Sequence, residues 1–248
     1  MSSIDGSPVQ NAELRLAACR ELVSYLNRVV LPRLCSAAPS TPRQYSAAAL
    51  ARCSRLLDGM NQLLSLGFDD LAGLMLRPLL ESWYLGWYLY LDADEAMTAL
   101  LENHTFQLSR LDESWGVAAT VFDEFWDGKQ IPHNFKRISD RVDELARAKG
   151  ASASVGKRTY EVLYRGTSLM NVHAGLGTIG SHVVKADDGS LSLALRSDRS
   201  GEGEVLVITG GGLVGTLAFV VASQFGLAVD EIDRLNQLLG WESPAATG

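Results

Sequence analysis

The chain has 248 residues, 47% of them hydrophobic and 21% charged, and carries a net charge of -7. This is globular composition with apolar mass for a sizeable core, and the acidic balance argues against a protein that coats nucleic acid non-specifically. Cys19, Cys35 and Cys53 are odd in number and show no C-x-x-C spacing, which disfavours a disulfide framework and suits a reducing, cytoplasmic setting.

Residues 1–10 lack a basic n-region followed by an apolar h-region, so they read as a tail rather than a signal peptide. A first helix is expected from about Asn11 to Leu31, stopped by Pro32. Thr41 and Pro42 suit the cap and first turn of a second helix, with Gly67 as its left-handed terminator. Asp69 or Asp70 can cap a third, which contains LRPLLESWYLGWYLYL, Leu76 to Leu91. In helical projection Asp70, Arg77, Glu81, Tyr84 and Tyr88 share a narrow polar stripe, opposite a broad face of Leu76, Leu79, Leu80, Trp83, Trp87 and Tyr90. Pro78 frees the carbonyl of Leu74, so a bend is expected beside the Arg77–Glu81 pair. Asp92 and Glu95 have capping-box spacing for a fourth helix, running to about Trp115.

Beyond VFDEFW and the loop DGKQIPHN, the segment NFKRISDRVDELARAKG predicts an amphipathic helix ending at Gly150, and a further helix should run from about Val155 to Ala174. LSLALRS alternates, SDRSGEGE is turn-like and EVLVIT is β-branched, so a hairpin is expected over residues 191–209. The uncharged run Val205–Val229 is long enough to span a bilayer. However, Gly210, Gly211 and Gly212 divide it into a strand-like run and a helix of about 16 residues without aromatic or basic flanks, which weighs against a membrane. The fold expectation is a mainly α, single-domain helical bundle over residues 11–241 with a small β-hairpin insertion, followed by a C-terminal tail at residues 242–248.

Charge is uneven. Acids dominate from Asp92 to Asp127, where Arg110 is the single base, whereas Lys136, Arg137, Arg141, Arg147, Lys149, Lys157, Arg158 and Arg165 dominate the next stretch. A phosphate-bearing partner would bind there; the competing reading is a basic face that pairs with the acidic one or with another subunit. Two glycine runs, GLGTIG at Gly175–Gly180 and GGGLVG at Gly210–Gly215, match a dinucleotide loop. The first follows a helix rather than a strand. The second follows a strand-like run, but only 18 residues remain after Asp230, too few for the rest of such a domain. His104, His133, His173 and His182 form no H-x-x-x-H or E-x-x-H element, so neither metal nor cofactor is expected, and no G-x-S-x-G elbow supports a hydrolase.

Tyr160, Tyr164, Thr167 and Asn171 recur at helical spacing with Ser168 beside them, while His173 falls toward the apolar side near the helix end. The Arg77–Glu81 helix together with Y-x-x-x-Y-x-x-x-S-x-x-x-x-H resembles a family of uncharacterised bacterial helical proteins known as a domain of unknown function. The resemblance rests on Arg77, Glu81, Ser168 and His173 and implies a bundle in which arginine, glutamate and histidine converge. A looser similarity is to the HEPN superfamily, helical dimers that include toxin and phage-defence ribonucleases with R-x(4–6)-H; here seven residues separate Arg165 from His173.

The functional expectation is a cytoplasmic bacterial protein with a polar site between helices. Arg77 would bind an anionic group, Glu81 would orient His173, and His173 would act as acid or base. Tyr160, Tyr164, Arg165, Ser168 and Asn171 would contact the substrate. RNA cleavage of HEPN type, metal-independent and serving stress or phage defence, is its sharpest form, with RNA or another phosphate-bearing ligand and a homo-oligomer as partners. The competing expectation is a non-catalytic interaction or oligomerisation module, in which Trp83, Trp87 and Tyr90 pack a core or a partner helix.

Overall fold

The computed structural model describes residues 8–36, 44–102, 135–150, 159, 163–164, 183–185, 187–193 and 202–244. Within them the chain is mainly helical. Helix α1, Pro8–Tyr25, runs through a π-helical turn, Leu26–Val30, into α2, Leu31–Ser36. Pro32 therefore does not stop the first helix. The π turn, in which the Leu31 N–H bonds the carbonyl of Leu26, widens the backbone just where the proline ring would meet the carbonyl of the preceding turn.

Helix α3, Gln44–Ser65, ends in the expected way. Gly67 takes φ +75°, and the N–H groups of Gly67 and Phe68 return to the carbonyls of Leu64 and Leu63, both at 2.9 Å, closing a Schellman terminus. Asp69 and Asp70 lie in the first turn of α4, Asp69–Leu74, rather than at its cap, which is Phe68. Their charge still favours that end of the helix dipole. The chain then breaks at Met75 (φ -77°, ψ -15°) and restarts as α5, Leu76–Leu91. The expected bend becomes a helix boundary, because Pro78 is then in the first turn, where a missing N–H costs nothing.

Asp92 caps the helix over residues 93–102, here α6: its Oδ1 accepts the Glu95 N–H at 3.1 Å. Helix α7, Phe135–Ala148, ends before Gly150 at φ +90°. The fourth helix beyond residue 102, VFDEFW, and the loop before α7 lie outside the described residues.

Two corrections concern the last third. The hairpin over 191–209 does not form: β1, Val183–Lys185, pairs antiparallel with β2, Leu191–Leu193, and Val205–Thr209 belong to α8, Glu202–Gln224. That helix runs unbroken through Gly210, Gly211, Gly212 and Gly215, so the strand–loop–helix context for a dinucleotide loop is absent as well. Each helical glycine costs about 1 kcal/mol of propensity, and close packing offsets it. A Cβ on Gly211 would stand 2.5 Å from the Cys19 sulfur, one on Gly212 would meet the Trp241 indole, and one on Gly215 would meet the Asn236 carboxamide. Of the β-branched residues that read as strand, Val207 is buried in the core while Val205 stays exposed, so the docking of the helix as a whole, rather than burial of each residue, overrides propensity.

α8 is the central element, packed against α1, α3, α4, α5 and α9, Asp230–Leu239. Leu213, Val214, Leu217, Ala218 and Val221 are wholly buried there. At 23 residues it is long and apolar enough to cross a membrane, so the length argument against a span fails. What weighs against it is that 78% of its apolar window is buried inside the protein.

Candidate functional site

α5 is buried on two sides. Leu76, Leu79, Leu80 and Trp83 face the core, and Trp83 donates its indole N–H to the Thr216 hydroxyl on α8 at 3.3 Å. The narrow stripe is also covered: Tyr84 and Tyr88 are fully buried, while Arg77 and Glu81 keep 29% and 40% of their side-chain surface. α7 supplies part of that cover, with Phe135 meeting the Tyr84 ring edge-on at 5.2 Å and stacking on Tyr164 at 4.8 Å.

Tyr164 closes a three-membered cluster. Arg77 donates through Nε to Glu81 Oε1 at 3.3 Å and through Nη2 to the Tyr164 hydroxyl at 2.9 Å, and that hydroxyl donates to Glu81 Oε1 at 3.3 Å. The guanidinium carbon also stands 4.9 Å from the Tyr164 ring centroid, within cation–π range. Burial disfavours charge on Arg77, but Tyr164 and Glu81 outweigh it and raise its pKa. Burial and the charge of Glu81 hold the Tyr164 hydroxyl above the usual tyrosine range, and Arg77 offsets only part of this. At neutral pH the phenol thus keeps its proton and can accept from one neighbour while donating to the other.

Of the five N–H groups of a guanidinium, these bonds use two, leaving three without a partner among the described residues. Glu81 Oε2 likewise accepts nothing among the described residues. The arrangement offers a forked donor edge beside an open carboxylate oxygen.

A second cluster of the same side-chain types lies at the other end of α5. Arg141 on α7 donates through Nε and Nη2 to the two oxygens of Glu95, at 2.8 and 2.7 Å, and through Nη1 to Glu144 at 3.0 Å. The Tyr88 hydroxyl donates to Glu95 Oε1 at 2.9 Å. All three guanidinium nitrogens are engaged. This pairing was legible only as the charge contrast between the acidic and basic segments, and Arg141 with Glu95 shows the basic face meeting the acidic one. Lys136 is similarly occupied by Asp140 at 2.6 Å.

Of the site residues expected from sequence, Arg77, Glu81 and Tyr164 are brought together. Tyr160, Arg165, Ser168, Asn171 and His173 lie outside the described residues. Sequence reading missed Phe135, which had no signal beyond its place at a helix start. Among the described residues no group of His, Cys, Asp and Glu side chains gathers to hold a metal, and all four histidines lie outside them.

Fold and site together define a mainly helical protein with a half-buried arginine–glutamate–tyrosine cluster between α5 and the segment after α7. Neither protein-family models, nor curated proteins, nor solved structures gave a match.

Proposed function

We propose that Arg77, held by Glu81 and Tyr164, binds a phosphate-bearing ligand, and that RNA cleavage of HEPN type with His173 as acid or base is the sharpest form of that activity. One observation carries the reading: a half-buried guanidinium is fixed along one edge and, among the described residues, keeps three N–H donors without a partner. A planar fork of this kind suits two phosphate oxygens, and partial burial strengthens the attraction relative to a solvated arginine. Tyr160, four residues before Tyr164, and Arg165, Ser168 and Asn171, which follow it, are assigned to the same ligand. The bacterial, cytoplasmic and homo-oligomeric character expected from sequence belongs to this proposal.

Binding and cleavage of a labelled single-stranded RNA test it. Arg77→Ala should weaken binding about tenfold or more, and His173→Ala should abolish cleavage while binding and the thermal transition persist. RNA binding that is absent, or unchanged by Arg77→Ala, removes the reading.

A second reading, the non-catalytic interaction module, is favoured by a different observation. Two bases of α7 are already neutralised by carboxylates, Arg141 by Glu95 and Glu144 and Lys136 by Asp140. In this reading the Arg77 cluster is a brace that holds Tyr164 against α5. Arg77→Ala would then lower stability slightly and alter no ligand affinity.

A further inference from the structure

We propose that Glu81 makes this site selective for a phosphate with a neighbouring hydroxyl, and hence for ribose over deoxyribose strands. The inference rests on the phosphate reading of Arg77. Glu81 Oε1 is engaged twice, by Arg77 Nε and by the Tyr164 hydroxyl, each at 3.3 Å. Those two bonds pin the carboxylate, and Oε2, which accepts nothing among the described residues, is the oxygen left to a ligand.

A phosphate docked on the open edge of Arg77 therefore lies beside a carboxylate whose side chain is only 40% exposed. Two oxyanions that close repel each other, and solvent screens them only in part. A ligand that places a hydroxyl between them removes the conflict, because the hydroxyl donates to Oε2 in a charge-assisted hydrogen bond. A ligand lacking that hydroxyl keeps the repulsion, so the same glutamate attracts one class and rejects the other. In a nucleic acid strand the hydroxyl next to each phosphate is the ribose 2′-OH, the group DNA lacks. Arg77 supplies the affinity in this scheme, and Glu81 supplies the choice.

The experiment measures binding of single-stranded RNA and DNA of one sequence to the intact wild-type chain, to Glu81→Gln and to Arg77→Ala. The wild type should prefer RNA by about tenfold or more, the scale of one charge-assisted hydrogen bond. Glu81→Gln preserves the side-chain shape but removes the charge; it should raise DNA affinity and bring the two ligands to within about twofold. Arg77→Ala should weaken both.

Equal wild-type binding of RNA and DNA, with Arg77 still required, overturns the role of Glu81 and leaves the phosphate site standing. An RNA preference unchanged in Glu81→Gln also overturns it, since the discrimination then lies elsewhere. Binding that is absent, or indifferent to Arg77→Ala, overturns both. The wild-type comparison needs no variant to fold, and a thermal melt of each variant separates lost binding from lost structure.

Discussion

Arg77, Glu81 and Tyr164 cluster near the start of α5, and Tyr88, Glu95 and Arg141 near its end, about three helical turns away on the same face. Their charged side chains are similarly exposed, 29% and 40% for Arg77 and Glu81 against 40% and 38% for Arg141 and Glu95. Exposure therefore does not distinguish them; saturation does. Arg141 forks onto both oxygens of Glu95 and reaches Glu144 with its third nitrogen, whereas among the described residues Arg77 spends one edge and keeps the other. The first arrangement is a finished clamp between α6 and α7. The second leaves donors and an acceptor unused among the described residues. Half-buried ion pairs built from the same residue types can thus differ in how fully their donors and acceptors are used.

The comparison can be broken at the ring that lies between the clusters. Tyr84 is fully buried against Trp83 and Phe135, so Tyr84→Ala should cost about 3–5 kcal/mol in urea denaturation; a loss below about 1 kcal/mol would mean that this ring does not couple α5 to α7. Glu95→Ala comes next. It strips Arg141 of its forked partner and leaves the buried Tyr88 hydroxyl unpaired, for a loss of about 1–2 kcal/mol after solvent screening.

Alkaline titration gives a smaller, signed effect. Burial, followed by the hydrogen bond and charge of Glu95, raises the Tyr88 pKa despite Arg141. The folded protein keeps a proton that the unfolded chain releases above about pH 10, so this contribution is intact below that pH and is lost as the pH climbs beyond it. At pH 11 the wild type should have lost about 1 kcal/mol more than Tyr88→Phe, measured by denaturation at each pH. Parallel slopes for the two proteins would contradict the raised value.

Glu81→Ala should have the smallest effect on stability, below about 1 kcal/mol, because its pair with Arg77 is a partly exposed i,i+4 contact. A loss equal to that of Glu95→Ala would make both clusters braces and erase the distinction drawn from their free atoms.

Local rules made much of the helical framework legible. Gly67 and Gly150 stop helices because only a residue without Cβ takes their positive φ cheaply, Asp92 caps because its carboxylate reaches the Glu95 N–H, and the stripe on α5 follows from 3.6-residue periodicity. The Arg77–Glu81 half of the cluster was visible for the same reason, since spacing along one helix fixes which side chains meet. Pro32, the glycines of α8 and the β-branched run Val205–Thr209 misled because each was judged by its own propensity. A π turn, close helix approach and the docking of α8 against five other helices reversed those preferences, and none of these is written in a local window. Tyr164, Phe135 and Arg141 reach α5 and Glu95 from 46 to 87 residues away. Contacts at that separation depend on how helices dock, and so tertiary structure alone decided that, among the described residues, one charged cluster is saturated and the other is not.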